Sequence, residues 1–276
     1  MKCFLRLSML MTAVGLAVAC SGPTKPEHES FVYPLAVGNQ WVYEYTEIST
    51  YSDSTPTDTV RYTMTARVIL ADTILPGIVS YTILEEGANQ HGEEYTGFKA
   101  YVNMPEGMYA YYRSDPGPQF VLPKHTGLGR VQNPVEYRLL WLTQPALFPF
   151  LELRLSGIEY YNPTPLLLPY PQRVGHRWSV LDTAVNGFFG IDQQIAGWET
   201  ITTPAGAFDC VAIDWIHIPP LDDVEITSYF AAEGMIRRTV SVFDIDVTTY
   251  EFPYGTGETK DIYETYELVS YTLKTP

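Results

Sequence analysis

Hydrophobic and polar residues alternate with a period of two over long stretches of this chain. In residues 60–70, the even positions hold valine, tyrosine, methionine, alanine and leucine, and the odd positions hold mainly arginine and threonine. Because successive side chains of a β-strand point to opposite faces, this run predicts a strand with one buried face. Similar stripes begin at Trp41, Val79 and Val224, and residues 262–273 are rich in tyrosine, threonine and valine, which favours a last strand.

Helical patterns are weak by comparison. The best candidate, residues 145–155, contains Pro149, which would break or kink a helix. The 21 prolines and 20 glycines mostly separate short alternating segments. The chain is therefore predicted to be all-β, with mainly antiparallel meander sheets and little helix. It would form two related β modules or one large curved sheet or half-barrel.

One internal repeat supports the idea of two modules. Residues 33–41 read YPLAVGNQW and residues 170–178 read YPQRVGHRW, which share YPxxVGxxW at a spacing of 137 residues. Glycine suits a turn, and the tryptophan after it would begin a strand facing the core. We predict a first β module over residues 31–168 and a second over residues 169–276. The sequence leaves open whether they are separate domains or pack as one.

The chain begins with the pattern of an export signal, MKCFLRLSMLMTAVGLAVACSG. Its apolar run, residues 7–19, is too short to span a bilayer as a helix. We interpret residues 1–19 as a signal peptide and Cys20 as a lipidated first residue, because the sequence before Cys20 resembles the bacterial lipobox. Ala17 stands where that motif usually has leucine. Cleavage by ordinary signal peptidase, which would give a soluble periplasmic protein, is therefore the alternative.

The mature chain would begin with a polar tether and carry a strongly acidic body. Residues 20–30 contain two prolines and no apolar residue after Cys20, as in a flexible tether. The lipobox resemblance implies sorting to the outer membrane, because Ser21 and not aspartate follows the cysteine. Loss of Lys2 and Arg6 with the signal changes the formal net charge from −15 to −17. Such a surface repels phosphate backbones, so nucleic acid is not an expected partner. The membrane would be reached through the N-terminal lipid.

The reactive residue types do not form a recognisable catalytic or metal centre in the sequence. On the strand predicted around Cys210, this cysteine and His217 fall on opposite faces, about 23 Å apart at 3.3 Å per residue. Free cysteine is usually buried, so Cys210 is predicted to be an inert core residue. No histidine pair has metal-ligand spacing. We therefore predict no catalytic residues, no metal site and no cofactor.

Tyrosines provide the main candidate binding surface. The chain has 21 of them, and they are densest in residues 109–112 and 159–161. They are interpreted either as cross-strand pairs that stabilise an open sheet or as a platform on which sugars or other flat ligands stack. The residues assigned to this possible surface are Tyr109, Tyr111, Tyr112, Tyr160 and Tyr161.

Three segments together resemble a known group of proteins. YPLAVGNQWVY, TPAGAFDCVAI and YFAAEGMIRR are similar to motifs of exported bacterial β-rich hypothetical lipoproteins, including TapB-like proteins and, more distantly, the LolA/LolB-like architecture. The resemblance implies a curved antiparallel sheet over an apolar cavity, and it brings no catalytic residue with it.

Three functions of different classes follow from these observations. The first is a non-catalytic lipoprotein of the cell envelope, expected at the outer membrane, that binds a small apolar ligand or an envelope protein. The second is a carbohydrate-binding surface protein that uses the tyrosine-rich strands. The third is a hydrolase with a site that the sequence does not display. A closed apolar pocket would favour the first, an aromatic platform the second, and convergent carboxylates in a cleft the third.

Overall fold

The computed structural model describes residues 28–52, 57–90, 92, 94–114, 159–160, 166–181, 190–218, 223–246 and 259–274. Cys20, Tyr161 and the weak helix candidate at residues 145–155 lie outside these ranges. Within them every regular element is a strand, so the all-β prediction is confirmed.

Thirteen strands are described. They are β1 (Gln40–Tyr51), β2 (Asp58–Leu75), β3 (Ile78–Asn89), β4 (Glu94–Met104), β5 (Gly107–Ser114), β6 (Glu159–Tyr160), β7 (Leu166–Pro169), β8 (Arg177–Leu181), β9 (Gly190–Thr203), β10 (Gly206–Ile218), β11 (Val224–Ala231), β12 (Gly234–Asp246) and β13 (Thr259–Thr272).

All thirteen strands belong to one antiparallel sheet, in the order β6-β5-β4-β3-β2-β1-β13-β12-β11-β10-β9-β8, with β7 paired to β5 beside this path. Strands β1–β5 form one meander and β8–β12 a second one. Strand β13 pairs with both β12 and β1, and so joins the two halves. The sheet curves until its ends approach each other, where the indole N–H of Trp178 on β8 donates to the carbonyl of Leu166 on β7 at 2.9 Å.

The structure is thus one large, nearly closed, barrel-like sheet, which was one of the two predicted arrangements. Both predicted modules, residues 31–168 and 169–276, contribute strands to it. That they are related units with this boundary stays a prediction.

The predicted alternation holds along most strands and fails where a bulge intervenes. Trp41, Tyr43 and Tyr45 on β1 are all buried, as their stripe predicted. On β2, however, Leu70 was expected on the same buried face as Val68, and it is 46% exposed. The pairing of β2 with β3 shifts between these two residues. Residues 69–73 are all exposed, so the alternation ends at this bulge, where one extra residue interrupts the regular pairing.

Both copies of YPxxVGxxW make the same turn. In the first copy Gly38 has φ +93°, a conformation that costs glycine little. Its N–H donates to the carbonyl of Val68 at 2.8 Å, and the N–H of Val68 donates to the carbonyl of Asn39 at 2.9 Å. The second copy has φ +82° at its glycine and repeats both bonds at 2.8 and 2.9 Å with the corresponding residues, Gly175, Ile195 and His176.

The segment that precedes β1 is tied to the second half of the chain by side-chain amides and a phenol. The N–H of Tyr33 donates to the hydroxyl of Tyr170 at 2.9 Å, and that hydroxyl donates to Oδ1 of Asn103 at 2.8 Å. Gln172 accepts from the N–H of Phe31 and donates to its carbonyl. These contacts place the buried Tyr33 ring over one end of the interior of the sheet, beside Trp41 and Phe230.

Candidate functional site

The concave side of the sheet encloses a cavity of about 90 Å³. Both halves contribute to its walls, from β1–β5 on one side and from β9–β12 on the other, and Tyr33 lies on it from the N-terminal segment. The side chains that alternate onto the inner face of neighbouring strands form the walls of this cavity.

Most of the cavity wall is aromatic or thioether. Its rings and flexible apolar side chains include Trp41, Tyr43, Tyr101, Met64, Met108 and Met235. Methionine side chains are unbranched and polarisable, and surfaces built from them repack around ligands of different shape. The cavity can therefore enlarge at modest cost when these side chains change rotamer.

The tyrosine hydroxyls inside the sheet are uncharged over the physiological range. Burial raises the pKa of Tyr33 and of Tyr43 above the ordinary tyrosine value. The Tyr43 hydroxyl also donates to the carbonyl of Met235 at 3.2 Å. These phenols therefore contribute uncharged aromatic surface to the cavity, together with hydroxyl groups that can form hydrogen bonds.

Two opposite charges on the cavity wall neutralise each other. The ammonium of Lys99 on β4 lies 2.8 Å from Oε1 and 2.7 Å from Oε2 of Glu85 on β3. Both side chains are about nine-tenths buried. The Oε2 contact is poorly directed for a hydrogen bond, so charge holds it together more than bond geometry. Removing one partner of such a buried pair leaves an uncompensated charge and costs about 3–5 kcal/mol.

A third buried charge on the wall has no such partner. Arg238 on β12 is 9% exposed, and its Nε donates to Oγ of Ser228 on the adjacent strand β11 at 2.8 Å. Its guanidinium carbon lies 5.3 Å from the ring centroid of Trp215. Among the described residues no carboxylate lies within 4.0 Å of Arg238. Burial lowers the pKa of Arg238 from its ordinary value, and the more distant charge of Glu85 opposes that shift.

Two further polar atoms on the wall are buried without a hydrogen-bond partner among the described residues. They are Nε1 of Trp215 on β10 and Oε1 of Gln193 on β9. The two residues lie opposite each other in the pairing of these strands. An unpaired buried polar group costs about 1–3 kcal/mol, so these two atoms are polar groups of the wall that are free to bond a molecule in the cavity.

Cys210 and His217 do not come together in the structure. Cys210 is fully buried, and burial raises the pKa of its thiol to about 12, as in an inert core residue. Burial lowers the pKa of His217 to about 4, against the opposing charge of Asp223. The two residues lie seven positions apart on one extended strand, too far for a hydrogen bond. Neither lines the cavity.

Four of the five residues assigned to the possible tyrosine surface lie in the described ranges. Tyr109 is half-buried, its hydroxyl donates to Oε1 of Glu106 at 3.4 Å, and burial raises its pKa. Tyr111 and Tyr112 lie on β5, and Tyr160 on β6 stands opposite Tyr112 in the strand pairing. Tyr161 lies outside the described residues. The stacking platform stays a prediction.

The described residues contain neither a metal-type cluster of side chains nor a membrane-spanning helix. No group of three or more histidine, cysteine, aspartate and glutamate side chains is placed to hold a metal ion there. The same residues contain no helix with the length and apolar character needed to cross a membrane.

Sequence reasoning missed the charged residues of the cavity wall, although one signal was available. Ile236, Val240 and Val242 are buried on β12, and Arg238 shares their parity, so an arginine interrupts an apolar face. Lys99 similarly precedes Tyr101 on the inward face of β4. A charged residue inside an apolar stripe is the feature that could have located the site.

No family model matches the sequence, and no curated protein matches it either. Two solved structures match over most of the chain. A protein from Bacteroides fragilis described as exported, with a YmcC-like fold, is 14% identical, with 88% of this chain and 100% of that one covered and a TM-score of 0.37. A protein from Parabacteroides distasonis described as a lipoprotein is 13% identical, with 89% and 100% covered and a TM-score of 0.35.

TM-scores this low do not establish a shared fold. Both descriptions belong to the class of exported or lipoprotein-like proteins, and neither mentions TapB-like or LolA/LolB-like proteins.

Proposed function

We propose that this protein is a lipoprotein of the cell envelope that holds a small apolar ligand inside its curved sheet and has no catalytic centre. The observation that carries the proposal is the cavity with its aromatic and methionine wall. Ligand sites are typically concave and mostly apolar, with a few polar groups that fix orientation. The N-terminal signal and the candidate lipidation at Cys20 supply the location, and Ser21 favours the outer membrane.

The size of the cavity limits the ligand. An engineered cavity of about 150 Å³ accepts benzene, so about 90 Å³ suits a compact group or one end of a longer molecule. A larger ligand requires Met64, Met108 or Met235 to move aside. The proposed ligand is therefore an apolar molecule that enters by one end.

Binding of the neutral fluorescent probe N-phenyl-1-naphthylamine tests this function. The wild-type protein should increase the probe's emission in a saturable manner. Ala66→Leu, which adds three carbons to the cavity wall, should weaken binding at least fivefold. Ala71→Leu, at an exposed position of the same strand, is the matched control and should bind as the wild type does. Both variants must first show the wild-type circular dichroism.

Absence of saturable binding to the folded wild-type protein would contradict the ligand-binding function, as would equal binding by Ala66→Leu. The location is tested separately by mass spectrometry of the mature N-terminus. An unmodified Cys20 there would leave the soluble periplasmic alternative.

A further inference from the structure

We propose that the cavity is a site for an amphipathic carboxylate, with the guanidinium of Arg238 receiving the carboxylate and the aromatic and methionine wall receiving the apolar body. This inference rests on the proposed function, because it names the chemical class of the ligand for the same cavity.

The charge balance inside the sheet is the first reason. Lys99 and Glu85 are paired with each other at 2.7 Å, so their charges cancel on the cavity wall. Arg238 remains, and the described part of the wall has a net charge of +1. Buried charges in folded proteins are normally paired, because an isolated ion loses its hydration on burial. An anion from outside the chain restores that balance.

The unused hydrogen-bond donors of Arg238 are the second reason. A guanidinium carries five N–H bonds, and the described residues accept only the one at Nε, through Ser228. The two terminal nitrogens form the planar fork that binds a carboxylate through two parallel hydrogen bonds. The guanidinium carbon lies 5.3 Å from the centroid of the Trp215 ring, a cation–π contact that brings no negative charge.

A neutral donor lies beside the guanidinium. Nε1 of Trp215 is buried without a partner, and both Trp215 and Arg238 line the cavity. An indole N–H can only donate, so it requires an acceptor such as a carboxylate oxygen. Oε1 of Gln193, opposite Trp215 in the strand pairing, is an acceptor. Rotation of its amide by 180° would turn the donor nitrogen to the same side.

The acidic exterior makes this interior preference more selective. The chain has a formal charge of −15, which disfavours non-specific adsorption of anions to its surface. Any preference of the protein for an anion over a neutral molecule of equal length must therefore come from the interior.

Calorimetric titration with octanoate and with 1-octanol tests the inference, since the two have eight-carbon chains and differ in the head group. Wild-type protein should bind octanoate at least tenfold more tightly than 1-octanol at pH 8, where the acid is ionised. Arg238→Met, which keeps an apolar stem of similar length, should lose that preference and keep the affinity for 1-octanol. Arg237→Met is the matched control, because Arg237 points to the other face of β12 and pairs with Glu267. It should keep the preference.

The thermal midpoint of the ligand-free protein separates a binding role from a structural one. If Arg238 only supports the fold, Arg238→Met should lower the midpoint. If the role of Arg238 is to bind an anion, its replacement removes an uncompensated buried charge from the ligand-free protein, so the thermal midpoint should stay the same or rise. In that case octanoate should also raise the midpoint of the wild type and not that of Arg238→Met.

The possible failures are distinguishable. Equal binding of octanoate and 1-octanol, with no effect of Arg238→Met, overturns the carboxylate site and leaves the apolar-ligand function standing. Binding of neither compound to folded wild-type protein, together with no binding of N-phenyl-1-naphthylamine, overturns both. Octyl phosphate serves as a third titrant, and tighter binding of it than of octanoate would overturn the assignment to carboxylates.

Discussion

The two halves of the sheet begin with the same turn and use the tryptophan after it differently. Trp41 is fully buried, lines the cavity, and donates its indole N–H to the carbonyl of Glu233 in the turn before β12 at 2.5 Å. Trp178 is 9% exposed and donates to Leu166, where the two ends of the sheet meet. One local sequence therefore builds a central wall in the first half and closes the sheet in the second. The motif determines the turn, and the position of the strand in the sheet determines the role.

The residue after the turn glycine shows the same divergence. Asn39 is 1% exposed; its Nδ2 donates to the carbonyl of Pro34 at 2.7 Å, and its Oδ1 accepts from the N–H of Lys274 at 2.7 Å. His176, at the corresponding position, is exposed and stacks edge-on against Trp178. In the first half, this position links the segment before β1 to the segment after β13, whereas in the second half it is a surface residue.

The interiors of the two halves also differ in their charges. The first half buries Lys99 and Glu85 as a pair, which is neutral overall. The second half buries Arg238 without a carboxylate partner among the described residues, and it buries His217, whose Nε2 likewise has no partner there. Nε1 of Trp215 and Nε2 of His217 are thus buried without a partner in the second half, and Oγ of Ser80 on β3 is a comparable atom in the first half.

Replacing each tryptophan with alanine tests the first contrast and should give the largest effect. Trp41→Ala should lower the free energy of unfolding by about 3–5 kcal/mol, because it removes a fully buried ring from the centre of the sheet. Trp178→Ala should cost less, about 2–3 kcal/mol, because the five-residue strand β8 can relax around the loss. Urea unfolding measures both. Equal losses would mean that the two tryptophans have the same role in spite of their positions.

The second half should also be the source of an acid-dependent loss of stability. Burial lowers the pKa of His217 from 6.5 to about 4 in the folded protein. Between these values the unfolded chain binds the proton more readily, so stability is full above pH 6.5 and is lost as the pH falls toward 4. A pKa shift of this size lowers the free energy of unfolding by on the order of 3 kcal/mol over that pH range.

Comparison with a variant isolates this contribution, since carboxylates also titrate in acid. His217→Phe removes the titrating group, and His176→Phe is the exposed control. From pH 7 to pH 4, the unfolding free energy of the wild type should fall by about that amount more than the unfolding free energy of His217→Phe. If the difference is the same at both pH values, His217 does not control the acid response.

The sequence predicted the parts of this molecule that depend on neighbours along the chain. The stripe through Trp41, Tyr43 and Tyr45 predicted a strand and its buried face, and the glycine of each repeat predicted a turn. These features depend on backbone preferences and on side chains two residues apart. The exposure of Leu70 shows the limit, because a bulge depends on how the partner strand is paired.

The site was harder to predict because it depends on contacts between distant strands. The contact of Lys99 with Glu85 requires the register of β3 against β4, which the alternating pattern leaves open. The cavity itself requires β13 to join the two meanders and the sheet to curve upon itself. No periodicity in the chain encodes that closure. The arginine within the apolar stripe of β12 was visible, but its role became evident only beside Trp215 and Ser228.

Replacing the turn glycine in each half tests what the halves share, and it should give the smallest difference. Alanine at position 38 or 175 must adopt a φ above +80°, which costs an L-residue about 1–2 kcal/mol. A β-carbon at Gly175 would meet nothing within 4 Å, and one at Gly38 would lie 3.1 Å from Cε of Lys274, a flexible side chain that can move. The two variants should therefore lose nearly the same free energy of unfolding, within about 0.5 kcal/mol, with an unchanged denaturant slope. Suppose instead that the loss at Gly38 exceeds the loss at Gly175 by more than about 1 kcal/mol. The first turn would then be stabilised by contacts that the second turn lacks, and the two halves would be equivalent in sequence but not in the energetics of their turns.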